Sequence, residues 1–400
     1  KHRNVNAKFL RTLKLPPLIT KQVIRPGPDF ITTLLKIFPY LRKFDLNLTL
    51  AMKEGDRYTE DDIEQDRPCD RMIKHISYRL SKQKFLENLR VVLDYQERHV
   101  KRGRIQFSRA LRRLKHLKSC EIGIPQLVMP LPLYLKRLQR QAPRLKSFGI
   151  IPLNYNFFIG IHNLGTLVLG NFIAKLKNLE HLQLSYFLRI KSPEVWAKFF
   201  QALKSITHLK SFSLEGLIPE KNYNNLVDFL AQNKELKKVS LSFIRNERDG
   251  FKKFPNQGYS LLPNLEDLSI KFEGKDLEKP AGHRSLSILK DDLTKLKNLK
   301  YLRLDIPKVD DKLEASKSYF AISFIIRHFN QSLRKLRLTL YGIGLDEPYI
   351  HKEIFQAFGS CTLLQKLHLH LALTSKVPGS MLTVLFYHMA FLVKIRRSEE

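Results

Sequence analysis

The sequence predicts an α/β fold in which short parallel strands alternate with helices along a repeated array. Three observations lead to this prediction. One short apolar motif recurs along most of the 400 residues. Its later copies are separated by the length of one strand–helix unit. The segments between those copies carry apolar residues at helical spacing.

The repeat motif is an apolar residue, two others, an apolar residue, one other and an apolar residue, as in NLKYLRL. The alternating end of the motif puts its apolar residues on one face of a strand. Leading leucines of the later copies are 27 to 34 residues apart, and one such unit cannot bury its apolar row alone, so stacked units must form a continuous core. The copies lie at 9–15, 40–46, 85–91, 116–122, 144–150, 163–169, 176–184, 208–214, 235–241, 264–270, 298–304, 332–338 and 363–369.

Helices are predicted between the later copies. Ser192 is expected to cap the first of them, because Pro193 and Glu194 follow it at positions that favour a helix start. The residues predicted to face inward are Val195, Trp196, Phe199, Phe200 and Leu203; Leu226, Phe229 and Leu230 in 222–233; Phe320, Phe324, Ile325 and Phe329 in 316–330; and Ile350, Ile354 and Phe358 in 349–359.

The motif and its period resemble the leucine-rich-repeat superfamily over most of 9–370, in its longer, helix-containing intracellular type. The resemblance implies a solenoid, or horseshoe, with parallel strands on the concave face and helices on the convex face. Family members usually carry Asn or Cys three residues after the last leucine of the motif. Those positions here hold Phe187, Leu217, Ile244, Glu273, Pro307, Tyr341 and Ala372, so we expect an irregular array.

Four segments are predicted along the chain: 1–50 as an N-terminal segment with the first repeats, 51–84 as an acidic insertion, 85–375 as the array, and 376–400 as a C-terminal apolar helix, cap or further repeat. The acidic stretch 54–70 is expected to be an exposed loop, with docking against a basic surface as the alternative. The copies led by Leu164 and Leu179 are 15 residues apart, which predicts two strands joined by a tight loop.

The apolar segment 381–395 is predicted to be the helix of another unit, with Leu392 and Ile395 starting its strand. In that case we expect the array to continue beyond Glu400. The alternative is a hydrophobic surface, including Phe386 and Phe391, that a protein partner buries. A chain starting at Lys1 rather than Met fits either processing or a fragment.

The charge balance indicates a polyanionic partner. Lys and Arg number 70 against 38 Asp and Glu, a net charge of +32. Nucleic acid such as RNA is the commonest partner that neutralises such a surplus, and an anionic membrane surface or an acidic protein comes next. Cys69, Cys120 and Cys361 fit no disulfide or zinc pattern and are expected to be buried thiols of an intracellular, reducing compartment. The mitochondrial matrix, the cytoplasm and the nucleus remain alternatives. No apolar run reaches the length of about 18 residues that spans a membrane.

No recognisable catalytic motif occurs in the sequence, which lacks a glycine-rich phosphate loop, a GxSxG elbow and an HExxH pair. His368 and His370 alternate on one strand face, but no third metal ligand is suggested near them. We therefore expect neither an enzyme nor a cofactor or metal site.

Two basic clusters are predicted to face outward. Residues 98–118 hold nine Lys or Arg and no acid, and a second cluster follows in the next unit. Neighbouring units should merge the two, and arginine favours phosphate because its planar fork binds phosphate oxygens in pairs. The residues are Lys101, Arg102 and Arg104 in a turn, Arg109, Arg112, Arg113 and Lys115 on a helix, and then Lys136, Arg137, Arg140, Arg144 and Lys146.

Strand alternation defines a second candidate surface. If the leucines face the core, the intervening residues line the concave face, which becomes basic toward the C-terminal end. Chance placement of so many basic residues is the alternative. The candidates for a polyanion are Arg303, Lys335, Arg337, Lys366 and His368, and those for a protein are His181 and Tyr301.

Two functions are therefore weighed. The first is a structural component of a large ribonucleoprotein, such as a cytoplasmic or mitochondrial ribosome, that binds RNA phosphates and neighbouring proteins. The second is a protein-binding adaptor or scaffold that uses the concave face without nucleic acid. A peripheral membrane role ranks behind both and rests only on 381–395 with the basic residues Lys394, Arg396 and Arg397.

Overall fold

The computed structural model describes residues 11–14, 18–19, 27–49, 70, 72–94, 101–123, 130–151, 163–188, 192–216, 218–244, 258–273, 284–306, 312–341 and 348–372. The chain divides into two compact units, Lys1–Ile206 and Thr207–Glu400. Each consists of parallel strands that alternate with helices, as the repeat motif predicts.

The first unit contains a parallel sheet in the order β1-β3-β4-β5-β6-β7, with β2 also paired to β3. Its strands are β1 (Thr12–Lys14), β2 (Leu18–Ile19), β3 (Lys43–Thr49), β4 (Asn88–Asp94), β5 (Ser119–Gly123), β6 (Ser147–Ile150) and β7 (His181–Leu188). Its helices are α1 (Gly27–Ile37), α2 (72–80), α3 (Lys101–Arg113), α4 (Pro130–Leu138), α5 (Asn163–Ile173) and α6 (Pro193–Leu203), with a 3-10 helix over Gln139–Arg144.

The second unit repeats this arrangement with the strand order β8-β9-β10-β11-β12-β13. Its strands are β8 (Ser211–Gly216), β9 (Lys238–Ile244), β10 (Asp267–Glu273), β11 (Tyr301–Ile306), β12 (Lys335–Tyr341) and β13 (Lys366–Ala372). Its helices are α7 (Tyr223–Gln232), α8 (Arg284–Leu293), α9 (Lys312–His328) and α10 (Pro348–Gly359), with 3-10 helices over Glu220–Asn222 and Tyr259–Leu261.

The strand register aligns the apolar residues of the motif into continuous rows. In the first unit Leu46, Val91, Ile122, Ile150 and Leu184 face one another along the sheet. The matching row of the second unit is Leu214, Leu241, Ile270, Leu304, Leu338 and Leu369. The first row is buried throughout, and the second is buried from β8 to β12. Leu367 and Leu369 of β13 are half-buried, since no described strand pairs with the outer edge of β13.

The helices cover the apolar side of each sheet. Within each unit successive helices contact one another, α3 with α4, α4 with α5 and α5 with α6, and likewise α8 with α9 and α9 with α10. In α6, Trp196, Phe199 and Phe200 are fully buried and pack ring against ring, as predicted. The Ser192 hydroxyl accepts a hydrogen bond from the Val195 amide at 3.4 Å, which confirms the predicted cap. The opposite, open side of each sheet carries the residues between the leucines.

Successive repeats are joined by backbone hydrogen bonds just before each strand. The Lys300 carbonyl, for example, accepts from the amides of Arg334 at 2.8 Å and Lys335 at 3.0 Å, and the same pattern recurs in both units. Asparagine side chains reinforce it from the residue before the leading leucine. Asn178, Asn264 and Asn298 donate to the carbonyls of Pro143, Lys234 and Pro263 at 2.7, 3.0 and 3.1 Å. These asparagines therefore precede the leading leucine of the motif, whereas the Asn or Cys typical of the family follows its last leucine.

The structure corrects three local predictions. Residues 163–169 belong to helix α5 and not to a strand, so no tight loop joins two strands there. Phe320 and Phe324 lie on the outer side of α9, 47% and 55% exposed, while Ile322, Ile325, Ile326 and Phe329 face the core. Within the range predicted as an acidic insertion, 72–80 form an ordinary repeat helix. Most of 54–70, and all of 381–395, lie outside the described residues.

Candidate functional site

The two predicted basic clusters adjoin one another on the first unit. Helices α3 and α4 are neighbours, and Gln141 and Arg144, just after α4, hydrogen-bond the carbonyls of Arg112 at 3.4 Å and Lys115 at 2.6 Å. We define the α3/α4 cluster as Arg109, Arg112, Arg113, Lys115, Lys136, Arg137, Arg140 and Arg144; Arg112 and Arg137 are half-buried and the other six are exposed. The two predicted clusters therefore lie on neighbouring helices of the first unit.

The α3/α4 cluster has no acidic residue within its own two segments and no ion-pair partner among the described residues. Residues 101–118 and 130–150 contain no Asp or Glu. None of the eight side chains forms an ion pair with another described residue, and the buried Nε of Arg137 has no hydrogen-bond partner among them. The nearest paired cations are Lys118, 3.2 Å from Glu87, and Lys146, 2.7 Å from Glu180. The cluster is therefore a surface with positive charge that the described part of the chain leaves uncompensated.

Lys101, Arg102 and Arg104 occupy a different place from the one predicted. Helix α3 begins at Lys101, so all three belong to its first turn and not to a turn before it. The Gly103 amide in that turn donates to the Asp70 carboxylate at 2.6 Å. A carboxylate at this position compensates the positive helix end, where three cations are otherwise unfavourable.

The open face of the first unit carries an ion-pair network that the sequence reasoning missed. Arg90 on β4 lies between Asp45 on β3, at 3.2 Å, and Glu121 on β5, at 3.3 Å. Burial raises the pKa of the Glu121 carboxyl, and the neighbouring Arg90 charge opposes that rise. Strand register could have revealed the network, because these residues occupy equivalent motif positions in successive repeats.

The open face of the second unit is less uniformly basic than predicted. Arg303 donates to Asp305 through Nη2 at 2.8 Å, and Thr339 Oγ1 donates to the same carboxylate at 2.8 Å. The side chains of Arg303 and Asp305 are only 17% and 9% exposed. Arg303 is therefore a structural ion-pair residue whose charge Asp305 neutralises. Asp305 could have been anticipated, since it lies two residues along the same strand face.

The other four residues predicted to bind a polyanion on that face are exposed. Lys335 and Arg337 on β12 and Lys366 and His368 on β13 are exposed, and the register places Lys335 opposite Lys366 and Arg337 opposite His368. No ion pair of these four occurs with a described residue. They form a small basic group at the end of the second sheet.

The predicted protein-contact residues are partly described. His181 is exposed and Tyr301 is half-buried, and both lie on open strand faces, one in each unit. Phe386 and Phe391 lie outside the described residues.

Cys120 and Cys361 are buried free thiols, as expected, and burial raises the pKa of each, for Cys361 to about 11. Such thiols are poor nucleophiles because the thiolate is the reactive form. Cys69 lies outside the described residues. Within the described ranges no three metal-binding side chains converge, and no helix has the length and apolarity needed to cross a bilayer.

Exposed aromatic side chains are a further feature that the sequence reasoning missed. Tyr40, Phe85 and His116 occupy the residue before the leading leucine in three successive repeats of the first unit. Tyr40 and Phe85 are 54% and 48% exposed, and the ring centroids are 5.7 Å apart for Tyr40–Phe85 and 6.5 Å for Phe85–His116. The recurrence of aromatic residues at one motif position was the available signal.

In each unit, the repeat, the parallel register and the helix layer define a leucine-rich-repeat fold of the α/β class. Stacked repeats of this kind create extended surfaces that can bind other molecules.

No protein-family model matches the sequence, and none of the curated proteins is similar to it. Among solved structures, the chain is similar to the leucine-rich repeat-containing protein LegL7 from Legionella pneumophila, at 14% identity and a TM-score of 0.39. The similarity covers 79% of this chain and 93% of LegL7. The fold assignment rests on the repeat and the strand register.

Proposed function

We propose that this chain is a non-catalytic leucine-rich-repeat scaffold that binds the RNA phosphate backbone and neighbouring proteins within a large ribonucleoprotein, such as a ribosome. The observation that carries the proposal is the α3/α4 cluster, eight cations without a described acidic partner. We place the protein in a reducing intracellular compartment, with the mitochondrial matrix, the cytoplasm and the nucleus as the options.

The chemistry of the cluster favours phosphate over a carboxylate-bearing surface. Six of its eight members are arginines, which bind phosphate oxygens in bidentate fashion and are more weakly hydrated than lysine. Contacts of this kind position a nucleic acid without selecting its sequence. We therefore expect strong dependence on salt and little dependence on sequence.

The test compares two variants that lose the same charge from different places. The first replaces four exposed cluster residues, R109Q/R113Q/K136Q/R140Q. The control replaces four exposed lysines of the second unit, K234Q/K237Q/K295Q/K297Q. Each phosphate contact contributes a log–log salt slope of roughly −0.7 for single strands. Filter binding of RNA over a salt series should therefore give a slope shallower by about 3 for the first variant and nearly unchanged for the control.

Equal changes in the two variants would mean that only the overall net charge matters. No RNA retention by the unaltered protein at low salt would refute the proposal outright. Copurified nucleic acid, seen as a 260/280 absorbance ratio that falls after RNase treatment, would support it independently.

A second candidate function is a protein–protein adaptor that uses the open strand face without nucleic acid. Exposed apolar side chains on the helix side of the second unit favour an additional protein contact there, separate from the open strand face. Phe320 and Phe324 are one helical turn apart on α9, and both are about half exposed. Such adjacent exposed aromatics are typical of protein-binding patches.

This candidate predicts binding that nuclease does not disrupt. Captured proteins should remain bound after RNase treatment and high salt, and the F320S/F324S variant should lose those that contact α9. Loss of all captured proteins on RNase treatment would contradict the adaptor function and favour the ribonucleoprotein.

A further inference from the structure

The aromatic ladder of Tyr40, Phe85 and His116 lies beside the α3/α4 cluster on one edge of the first unit. Lys115, a cluster residue, directly precedes His116. Arg144 donates to the Lys115 carbonyl at 2.6 Å from the equivalent motif position of the next repeat. The ladder of rings therefore continues, one repeat further along the sheet, into a guanidinium group of the cluster.

A fourth exposed ring, that of Tyr78, lies near the same edge. Tyr78 near the end of α2 is 53% exposed, with the Lys82 ammonium 5.3 Å and the Arg79 guanidinium 5.7 Å from its ring centre. Arg113 of the cluster approaches Ser81 in the same turn, at 3.5 Å between Nη1 and Oγ. Aromatic and basic groups are thus interleaved across three successive repeats.

The fold does not require exposed aromatic rings at these positions. In the other described repeats the equivalent residues are mostly polar or charged, namely Arg144, Asn178, Glu235, Asn264, Asn298 and Ser332, together with the exposed side chains of His208 and Leu363. Asn178, Asn264 and Asn298 support the backbone ladder from there, a role that Tyr40 and Phe85 cannot fill because their side chains offer no amide donor. Keeping half-exposed rings at this position has a solvation cost, which a bound planar group would offset.

We propose that the ladder of Tyr40, Phe85 and His116 is a stacking site for unpaired nucleobases, so that the ligand of this edge is single-stranded nucleic acid. Bases stack on the exposed rings while the α3/α4 cluster and Lys82 neutralise the phosphates. Interleaved aromatic and basic side chains are the combination that binds single strands without sequence preference.

This site deepens the proposed RNA-binding function and rests on it. In a duplex each base face is covered by its neighbours, so the ladder adds nothing to duplex binding. The phosphate contacts alone would hold single strands and duplexes by charge. The ladder therefore makes the edge selective for single strands over duplexes.

The experiment uses the full chain and three fluorescent probes of equal length, about 12 nucleotides to match typical single-strand site sizes. They are oligouridylate, the same ribose–phosphate strand without bases, and a mixed-sequence RNA duplex. The variant is F85A and its matched control is F320A, since Phe85 and Phe320 are 48% and 47% exposed. F85W retains a stacking surface at the same position, and circular dichroism verifies the fold of each variant.

We expect F85A to weaken oligouridylate binding about fivefold to a hundredfold, the range found when one stacking aromatic is removed. Binding of the strand without bases should be unchanged, F320A should behave as the unaltered protein, and F85W should restore affinity. Equal weakening for both strands, or no effect of F85A, would overturn the stacking site while leaving the phosphate-binding function intact. Failure of every probe to bind would overturn both.

Discussion

The ion pair between Arg303 and Asp305 provides a sharp test of how the open face of the second unit is held together. The Asp305 carboxylate accepts from Arg303 Nη2 at 2.8 Å, from Arg303 Nε at 3.2 Å and from Thr339 Oγ1 at 2.8 Å. Both charged side chains are largely withdrawn from water. Replacement of Asp305 by alanine therefore leaves a desolvated guanidinium without its counter-charge.

Removing one partner of such a pair costs about 3 kcal/mol or somewhat more. Because stability in a repeat array is distributed among neighbouring repeats, the loss should be concentrated in β11 and β12. Hydrogen exchange measures it locally. A loss of about 3 kcal/mol corresponds to roughly a hundredfold faster exchange of amides in those two strands.

Asp291 supplies the control, because its carboxylate pairs with Lys290 at 3.2 Å but is 65% exposed. Exposed pairs contribute at most about 1 kcal/mol, so D291A should change exchange only slightly. The double replacement R303L/D305L should recover much of the loss, since it removes the unpaired charge. Equal exchange in D305A and D291A would refute the inference that desolvation of Arg303 and Asp305 sets the effect.

Three further changes test other parts of the fold. S192A removes the cap that accepts from the Val195 amide at 3.4 Å and should lower the free energy of unfolding by about 1 kcal/mol, measured by urea denaturation. W196A empties a fully buried site and should lower the free energy of unfolding by about 3–5 kcal/mol. Unfolding is monitored by circular dichroism, because this substitution removes the one Trp of the chain and with it the Trp fluorescence. The pKa of the Glu121 carboxyl is raised in the folded state. Its contribution to the free energy of unfolding is therefore present at low pH and is lost as the pH rises through the folded pKa. E121Q should therefore match the unaltered protein in acid and be the more stable of the two near neutral pH; lower stability there would show that pairing with Arg90 outweighs burial.

The sequence predicts the strands well because the leucine rows have a single favourable arrangement. Shifting a strand by one residue would expose every leucine of its motif, so the alternation determines both the strand and its register. Each motif copy other than 163–169 contributes described residues to a strand. The departure at 163–169 has a physical cause, because an apolar motif of six residues also fits one side of a helix. In α5, Leu169 faces the core while Leu164 is 72% exposed.

Helix faces and side-chain networks are less predictable from one sequence. The segment 312–328 is apolar on several sides, so its composition cannot decide whether Phe324 or Ile322 faces the core; packing against the neighbouring helices decides it. The pairing of Arg90 with Asp45 and Glu121 depends on contacts between repeats about 30 residues or more apart. The merging of the basic helices was predictable, since consecutive units of a solenoid must be neighbours.

The positive charge of the first unit divides into a part that the fold explains and a part that it does not. The described segments between its helices and the following strands, the 3-10 helix included, hold eleven Lys or Arg and two Glu. Cations at these places are favourable because they compensate the negative C-terminal end of the helix dipole. Both glutamates, Glu87 and Glu180, pair with lysines of those loops. Arg109 lies before the last turn of α3, where the helix dipole favours a cation less. An arginine there, and half-exposed rings at a position that most other repeats fill with polar or charged residues, answer no requirement of the leucine-rich core. The proposed ligand, which combines phosphates with planar bases, would account for both.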